Sequence, residues 1–383
     1  MNSILVFLLV FGGAGFLLFL FFTVKTMIGP KKVMAVVRTL ESGNTKAAIR
    51  QTKALLARNG RSPDAHWLLG ECYRLENRPD LAIAEYKFVA NLGRFTALAT
   101  ERKIRARLAD EYRKAGMVDE AQKEYILLSK LEPGNSEHFF TIAQLFEERN
   151  YTDSALTNYK KVVSLNPNHA PSYHRMGVIF FRKQLLNEAR KALLAALKLD
   201  PQIHASSYYL GKISKTSGDS SGALAQFAKA TKDPELKQRA LLERANIFIT
   251  KGDVHHAQGD LQRALSLGEE ELPVALAVRY LLARTYEMNK DLVKAIEQWE
   301  WIYNKNPKFG DVSEKLAAYS DLRADDRLKE FLTASQDDFK EYCTRLVQAL
   351  GLSIQDVFLK NQDLIEMSAF ATQSKWRNAK KAR

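Results

Sequence analysis

One small residue returns along this chain at a near-constant interval. Ala48, Ala82, Ala121, Ala155, Ala189, Ala223, Ala257 and Ala295 are separated by 34, 39, 34, 34, 34, 34 and 38 residues. Four residues after most of them stands a ring or a leucine: Tyr86, Tyr125, Tyr159, Leu193, Phe227, Leu261 and Trp299. Prolines recur downstream at Pro133, Pro167, Pro201 and Pro307. A period of this length is one supersecondary unit, too small to bury its own apolar face and so obliged to stack on its neighbours. The 383 residues are therefore expected to form an open array, and length alone does not count domains.

Each unit reads as two amphipathic helices joined by a tight turn. Between Ser136 and His169 the first helix carries Phe139, Ile142, Ala143 and Phe146 on one face, and the turn falls at Glu148 to Thr152. The second helix carries Ala155, Tyr159 and Val162 until Pro167, which cannot donate the helical hydrogen bond. The small alanine lets the two helices approach, and the ring fills the space toward the next pair. This frame gives units at about 29–62, 63–96, 102–135, 136–169, 170–203, 204–237, 238–271 and 276–309. The second has Leu69, Gly70, Tyr73, Ala82, Tyr86 and Val89; the fifth has Tyr173, Met176, Gly177, Phe180, Ala189, Ala196 and Pro201.

Leu-Gly between aromatics, followed by Ala, an aromatic, Ala and Pro, resembles the tetratricopeptide repeat family over about 280 of the 383 residues. The resemblance implies an all-α fold: a right-handed α-solenoid of about eight helix pairs over 33–322, with a capping helix at Gly310 to Leu322. It also implies that the first helix of each pair lines a concave face that binds proteins or extended peptides. Carried onto this sequence, the contact positions are Trp67, Glu71 and Arg74; Asp110 and Arg113; Phe140, Gln144 and Glu147; His174, Val178 and Phe181; Tyr208, Lys212 and Lys215; Leu242, Asn246 and Ile249; and Tyr280, Arg284 and Glu287. Family members that grip a terminal carboxylate use a Lys/Asn set, of which Lys212, Lys215 and Asn246 are a partial echo. The first unit departs from the pattern, with Thr52 where Tyr86 stands in the second. Two longer spacings add Ala97 to Glu101 and Leu272 to Ala275, both helix-compatible, which are expected to lengthen a helix by a turn. Because the alanine ladder and its rings are packing, function is expected at the positions the ladder leaves free and at these two breaks.

From Ile4 to Val24 the chain has no charge and is dominated by Leu, Phe and Val, enough for a helix spanning a bilayer core. No basic start or small-x-small cleavage site marks it as a cleaved leader, so 1–27 is expected to be an uncleaved anchor. Gly12, Gly13, Ala14 and Gly15 are compatible with homo-oligomeric packing of such helices. Lys25, Lys31, Lys32 and Arg38 follow the span, which by the positive-inside rule places the solenoid in the cytoplasm; the alternative is the periplasm. Gly29 and Pro30 make 28–32 a linker.

Beyond the repeats, 323–336 reads as a connector, with a further helix at Asp325 to Ala334. Asp337 to Leu350 has helical spacing ended by Gly351, and Ser353 to Lys360 and Asp363 to Phe370 read as a hairpin about Asn361 and Gln362. This α+β unit weakly resembles the opening of restriction-endonuclease-like folds with Asp363 in the acidic position, but the later strand with a paired Glu and Lys is missing. Residues 371–383 form a basic tail with Lys375, Arg377, Lys380, Lys381 and Arg383, part of a net charge of +13 that favours acidic partners. Nucleic-acid association through that tail is the rival expectation, disfavoured because Trp376 is the lone stacking ring in it. Cys72 and Cys343 sit in no CxxC or Cys/His spacing. No Walker loop, GxSxG, HExxH or dinucleotide loop is present, so no enzyme, cofactor or metal is expected.

The layout is similar to bacterial membrane-anchored repeat proteins such as lipopolysaccharide assembly protein B, without the CxxC module that ends those chains, and to repeat proteins of the periplasmic flagellar collar. These readings converge on a membrane-tethered, non-catalytic scaffold that recruits or assembles partner proteins.

Overall fold

The computed structural model describes residues 31–269, 271–320, 327, 330, 334–361, 364–371 and 381–382. The expected membrane segment 4–24 lies outside them; among the described residues no helix is long and apolar enough to cross a membrane. Lys31 and Lys32, expected in a linker, already belong to a helix, α1 (31–41).

Residues up to Asp200 form one compact unit and those from Pro201 a second. In the first, α1 is followed by α2 (Thr45–Arg58), α3 (Pro63–Leu75), α4 (Pro79–Leu92), α5 (Glu101–Lys114), α6 (Val118–Leu131), α7 (Ser136–Glu148), α8 (Thr152–Leu165), α9 (Ala170–Arg182) and α10 (Leu186–Leu199). In the second come α11 (His204–Thr216), α12 (Ser220–Ala230), α13 (Lys237–Thr250), α14 (Val254–Leu265), α15 (Leu272–Met288), α16 (Leu292–Lys305) and α17 (Val312–Ala318). Within each unit every helix from α2 onward packs on its neighbours in sequence. The fold is an all-α helical-repeat solenoid, with a small β element near the C-terminus.

The eight ladder alanines are fully buried, and so are Tyr86, Tyr159, Leu193, Phe227, Leu261 and Trp299. Burying each ring or leucine contributes about 2 kcal/mol. The rings lie against the first helix of their own pair, where a small residue makes room. A Cβ added at Gly70 would sit 2.5 Å from a Tyr86 ring carbon, and one at Gly211 2.7 Å from Phe227. In the first pair Thr52 takes the ring's place, buried, with its hydroxyl donating to the Ala48 carbonyl at 2.7 Å.

The turns inside the pairs repeat as faithfully as the alanines. Gly43, Asn77, Gly116, Asn150, Gln184, Gly218, Gly252 and Lys290 all have positive φ, at the same place in every unit. Each turn is closed by backbone hydrogen bonds of one pattern, such as Asn150 N–H to the Glu147 carbonyl at 2.9 Å and Tyr151 N–H to that of Phe146 at 2.8 Å. This left-handed step reverses the chain in three residues and gives carbonyls at the end of the first helix their partners.

The two breaks in the period differ. Leu272 to Ala275 lengthen α15 to 17 residues, as expected. Ala97 to Glu101 do not lengthen a helix. Gly93 ends α4 in the left-handed conformation, and 94–100 form a loop in which the Thr96 N–H donates to the Ala99 carbonyl at 3.1 Å. The Thr96 hydroxyl is held by the Asp64 carboxylate of α3, 32 residues away, and Ala99 is fully buried, so tertiary contacts override the local helical preference.

The capping helix is α17, shorter than expected. Of the helix expected at Asp325 to Ala334, only residues 327, 330 and 334 are described. The C-terminal element consists of α18 (Gln336–Ala349), β1 (Leu352–Asn361) and β2 (Leu364–Ala371), with α18 against both strands. The hairpin is antiparallel, from Leu352 opposite Ala371 to Asn361 opposite Leu364, with irregularities after Ile354 and Leu359. Lys381 and Ala382 bridge to β2. Gln362 and Asp363 lie outside the described residues, as does the basic run at 375–380.

Candidate partner-binding surface

The expected contact positions lie on the first helix of each pair, and most are already engaged by the chain itself. In α3 the Glu71 carboxylate accepts from the Tyr86 hydroxyl at 2.6 Å, from Arg74 at 3.0 Å and from Arg107 Nε on the next first helix, α5, at 2.8 Å. Two units on, Glu147 accepts from the Tyr159 hydroxyl at 3.0 Å and takes a two-pronged contact from Arg175 of α9 at 2.9 and 2.7 Å. The charges are reversed between α11 and α13, where Glu243 binds Lys212 at 2.7 Å and Lys215 at 2.6 Å. Lys315 of α17 then reaches Glu287 of α15 at 2.6 Å. One arrangement is thus reused at alternate steps: a residue in the first two turns of one first helix crosses to a residue in the second half of the preceding one.

These rungs set the electrostatics of the surface. Burial pushes the Glu71 carboxyl up, but hydrogen bonds from Arg74 and Tyr86 and the charges of Arg107 and Arg74 outweigh it, leaving it below the usual carboxylate range. Glu243 behaves likewise, burial being outweighed by Lys212 and Lys215. Burial, reinforced by Glu71, drives the Tyr86 hydroxyl far up; Tyr125, buried beside Asp110, is pushed up to about 12. These phenols stay protonated and serve as donors.

Three sequence expectations are altered. Lys212 and Lys215, the partial echo of a carboxylate grip, hold an internal carboxylate, that of Glu243. Trp67 is core as much as face, buried with its ring 5.4 Å from that of Tyr86. Arg74 is tied to Glu71. Phe140 is half-buried between Tyr159 and His169, at 5.7 and 4.7 Å. His174 and Phe181 are half-buried on α9 and engaged by neighbouring groups. Gln144 is half-buried, and Arg113 and Arg284 are exposed, beside Tyr125 and Tyr280 respectively.

Among the described residues, open space beside the first helices includes three places. A groove of about 410 Å³ runs along α13 and α15, lined by Leu242, Glu243, Asn246, Ala277, Tyr280, Leu281, Phe309 and Gly310. Its ring is fixed by the Tyr280 hydroxyl donating to Asp311 at 2.8 Å and by edge contact with Phe309. Tyr208, further back on α11, is half-buried against Phe227 and pushed up to about 12 by burial and Glu243. The other two spaces adjoin the breaks. One, of about 390 Å³, is lined by Trp67, Arg102, Lys103, Ala106, Arg107, Leu128, Glu132 and His138. The other, of about 370 Å³, lies between Pro234 and Glu271, where Gln238 donates to the Ala264 and Gly268 carbonyls at 2.9 and 2.7 Å.

Sequence reasoning did not find Arg102, Lys103 and the crossing residues Arg107, Arg175, Glu243 and Lys315. The signal for the latter was a pair of opposite charges 28, 31 or 36 residues apart, three or six short of the local alanine interval. Among the described residues no His, Cys, Asp or Glu group could hold a metal ion. Cys72 is buried, and burial together with Glu76 and Glu71 pushes its thiol up to about 11.

The comparisons with known proteins follow the same repeats. A tetratricopeptide repeat family model matches residues 35–88 and 242–300, and a second matches 139–169 and 170–203. No curated protein matches the sequence. Among solved structures the chain is similar to a tetratricopeptide repeat protein from Parabacteroides merdae, at 14% identity and a TM-score of 0.46 over 67% of this chain and 97% of that one. It is similar also to YrrB, at 18% and 0.43 over 51% and 97%, and to MamA from Desulfovibrio magneticus, at 19% and 0.41 over 45% and 97%. With the repeat models falling on the helix pairs α1–α4, α7–α10 and α13–α16, the chain belongs to the tetratricopeptide repeat family.

Proposed function

We propose that this chain is a membrane-tethered scaffold that recruits protein partners through the first helices of its repeats. Tetratricopeptide repeat proteins act in protein-interaction scaffolds and bind protein or peptide partners. The observation that carries the reading is the groove along α13 and α15. Its walls, Leu242, Ala277, Leu281 and Phe309, are apolar, and Asn246 supplies an amide able to both donate and accept. An extended segment would place an apolar side chain against Tyr280 and meet Asn246 with its backbone. The tether is the charge-free stretch 4–24, and the basic flank after it favours a cytoplasmic solenoid.

Partner capture by full-length protein in detergent tests the docking half. Leu242→Asp and Tyr280→Ala are expected to lower recovery of the same partners at least tenfold at a temperature where both variants, though lowered in thermal midpoint, keep the full helical signal of the chain. Undiminished recovery would remove the groove from the interface. A reporter fused after Arg383 tests the orientation: activity in the cytoplasm is expected, and activity only outside it would reverse the assignment.

A further inference from the structure

The first break in the period builds a cleft that repeat packing does not require. Loop 94–100 separates α4 from α5, and the cleft of about 390 Å³ lies beside it. Its lining joins the apolar Trp67, Ala106 and Leu128 to three cations, Arg102, Lys103 and Arg107, all brought by the first two turns of α5. The cations outnumber the carboxylates that serve them. Arg107 shares Glu71 with Arg74 and the Tyr86 hydroxyl. Arg102 shares Glu132 with His138, at 2.5 and 2.7 Å. Lys103 reaches the carbonyl of Leu98 at 3.2 Å. Two carboxylates thus serve three guanidinium groups, Lys103 meets only a carbonyl, and the Arg102 side chain remains 62% exposed.

We infer that this cleft docks an acidic, extended segment of a partner protein, with an aspartate or glutamate side chain against Arg102 and Lys103 and a neighbouring apolar side chain over Ala106 at the edge of Trp67. The inference rests on the scaffold reading and names a second docking site with its own chemistry. A nucleic-acid strand fits less well, because its phosphates are closely spaced and Glu132 sits among the cations. The cleft is also concave and partly apolar, which suits one carboxylate followed by one hydrophobic side chain.

The test uses the full-length protein in detergent and two immobilised decapeptide libraries. One carries Asp or Glu at alternate positions among random apolar residues; the other carries Asn or Gln at the same positions. A fluorescent single-stranded oligonucleotide is the third probe. The acidic library is expected to bind selectively and to lose binding as salt rises. Arg102→Ala combined with Lys103→Ala should weaken the selected peptides roughly tenfold, the sum of two exposed charge contacts. Lys103→Glu alone, at an exposed site, serves as the check if the double variant melts early. Equal binding of the two libraries, selected acidic peptides that are indifferent to these substitutions, or binding of the oligonucleotide alone would overturn the inference. Partner loss on Tyr280→Ala with no acidic selection would leave the scaffold reading intact and remove only this cleft.

Discussion

Glu243 shows how one side chain can be removed from a binding surface and made structural. It lies on the face expected to meet ligand, yet both carboxylate oxygens are occupied by Lys212 and Lys215 from the preceding first helix. A carboxyl whose folded value is depressed stabilises the fold above its unfolded value, near 4.5, and that stability is lost as pH falls through the folded value. Glu71 adds a contribution of the same sign. The chain is therefore expected to lose denaturant resistance on going from pH 5 to pH 3. Glu243→Gln should cost on the order of 1 kcal/mol at neutral pH and flatten that acid loss, measured by urea titration at a series of pH values. An unchanged pH profile in the variant would show that the rung contributes nothing.

At the scale of the element, the helix pair was legible in the sequence because its determinants are local and periodic. Ala155, Tyr159 and Val162 mark one helix face, and the turn at Glu148 to Thr152 falls where the spacing put it. The loop after α4 was not legible, because Ala97 to Glu101 favour helix locally and what prevents it is remote: Asp64, on α3, holds Thr96. The crossing charges were hidden for a similar reason, being 28 to 36 residues from their partners. Close approach within a pair gives the sharpest prediction. At Gly211, alanine would gain up to about 1 kcal/mol of helix propensity. Its Cβ would nevertheless meet the buried Phe227 ring at 2.7 Å, a clash costing about 1–3 kcal/mol. Gly211→Ala should therefore lower the thermal midpoint of the chain, whereas the same change at Gly259, with nothing within 4 Å of its Cβ, should raise it.

For the whole molecule, these local facts redistribute where partners can bind. The sequence suggested a contact surface along the array, with two or three side chains from each unit from the second to the eighth. Ion-pair rungs cross that surface at alternate steps, and among the described residues there is open space in the groove about Tyr280 and beside the two breaks in the period. The breaks had been singled out as the places where the alanine ladder fails, and clefts do adjoin both. The tether proposed at 4–24 would hold the proposed docking sites beside a bilayer. The most direct test is photocrosslinking in cells, with a photoreactive amino acid placed in the full-length chain at Lys103, at Leu242 or at Lys212. Partner adducts are predicted at Lys103 and Leu242 and not at Lys212, whose side chain crosses a rung. Adducts concentrated at Lys212, with none at the other two positions, would contradict the account.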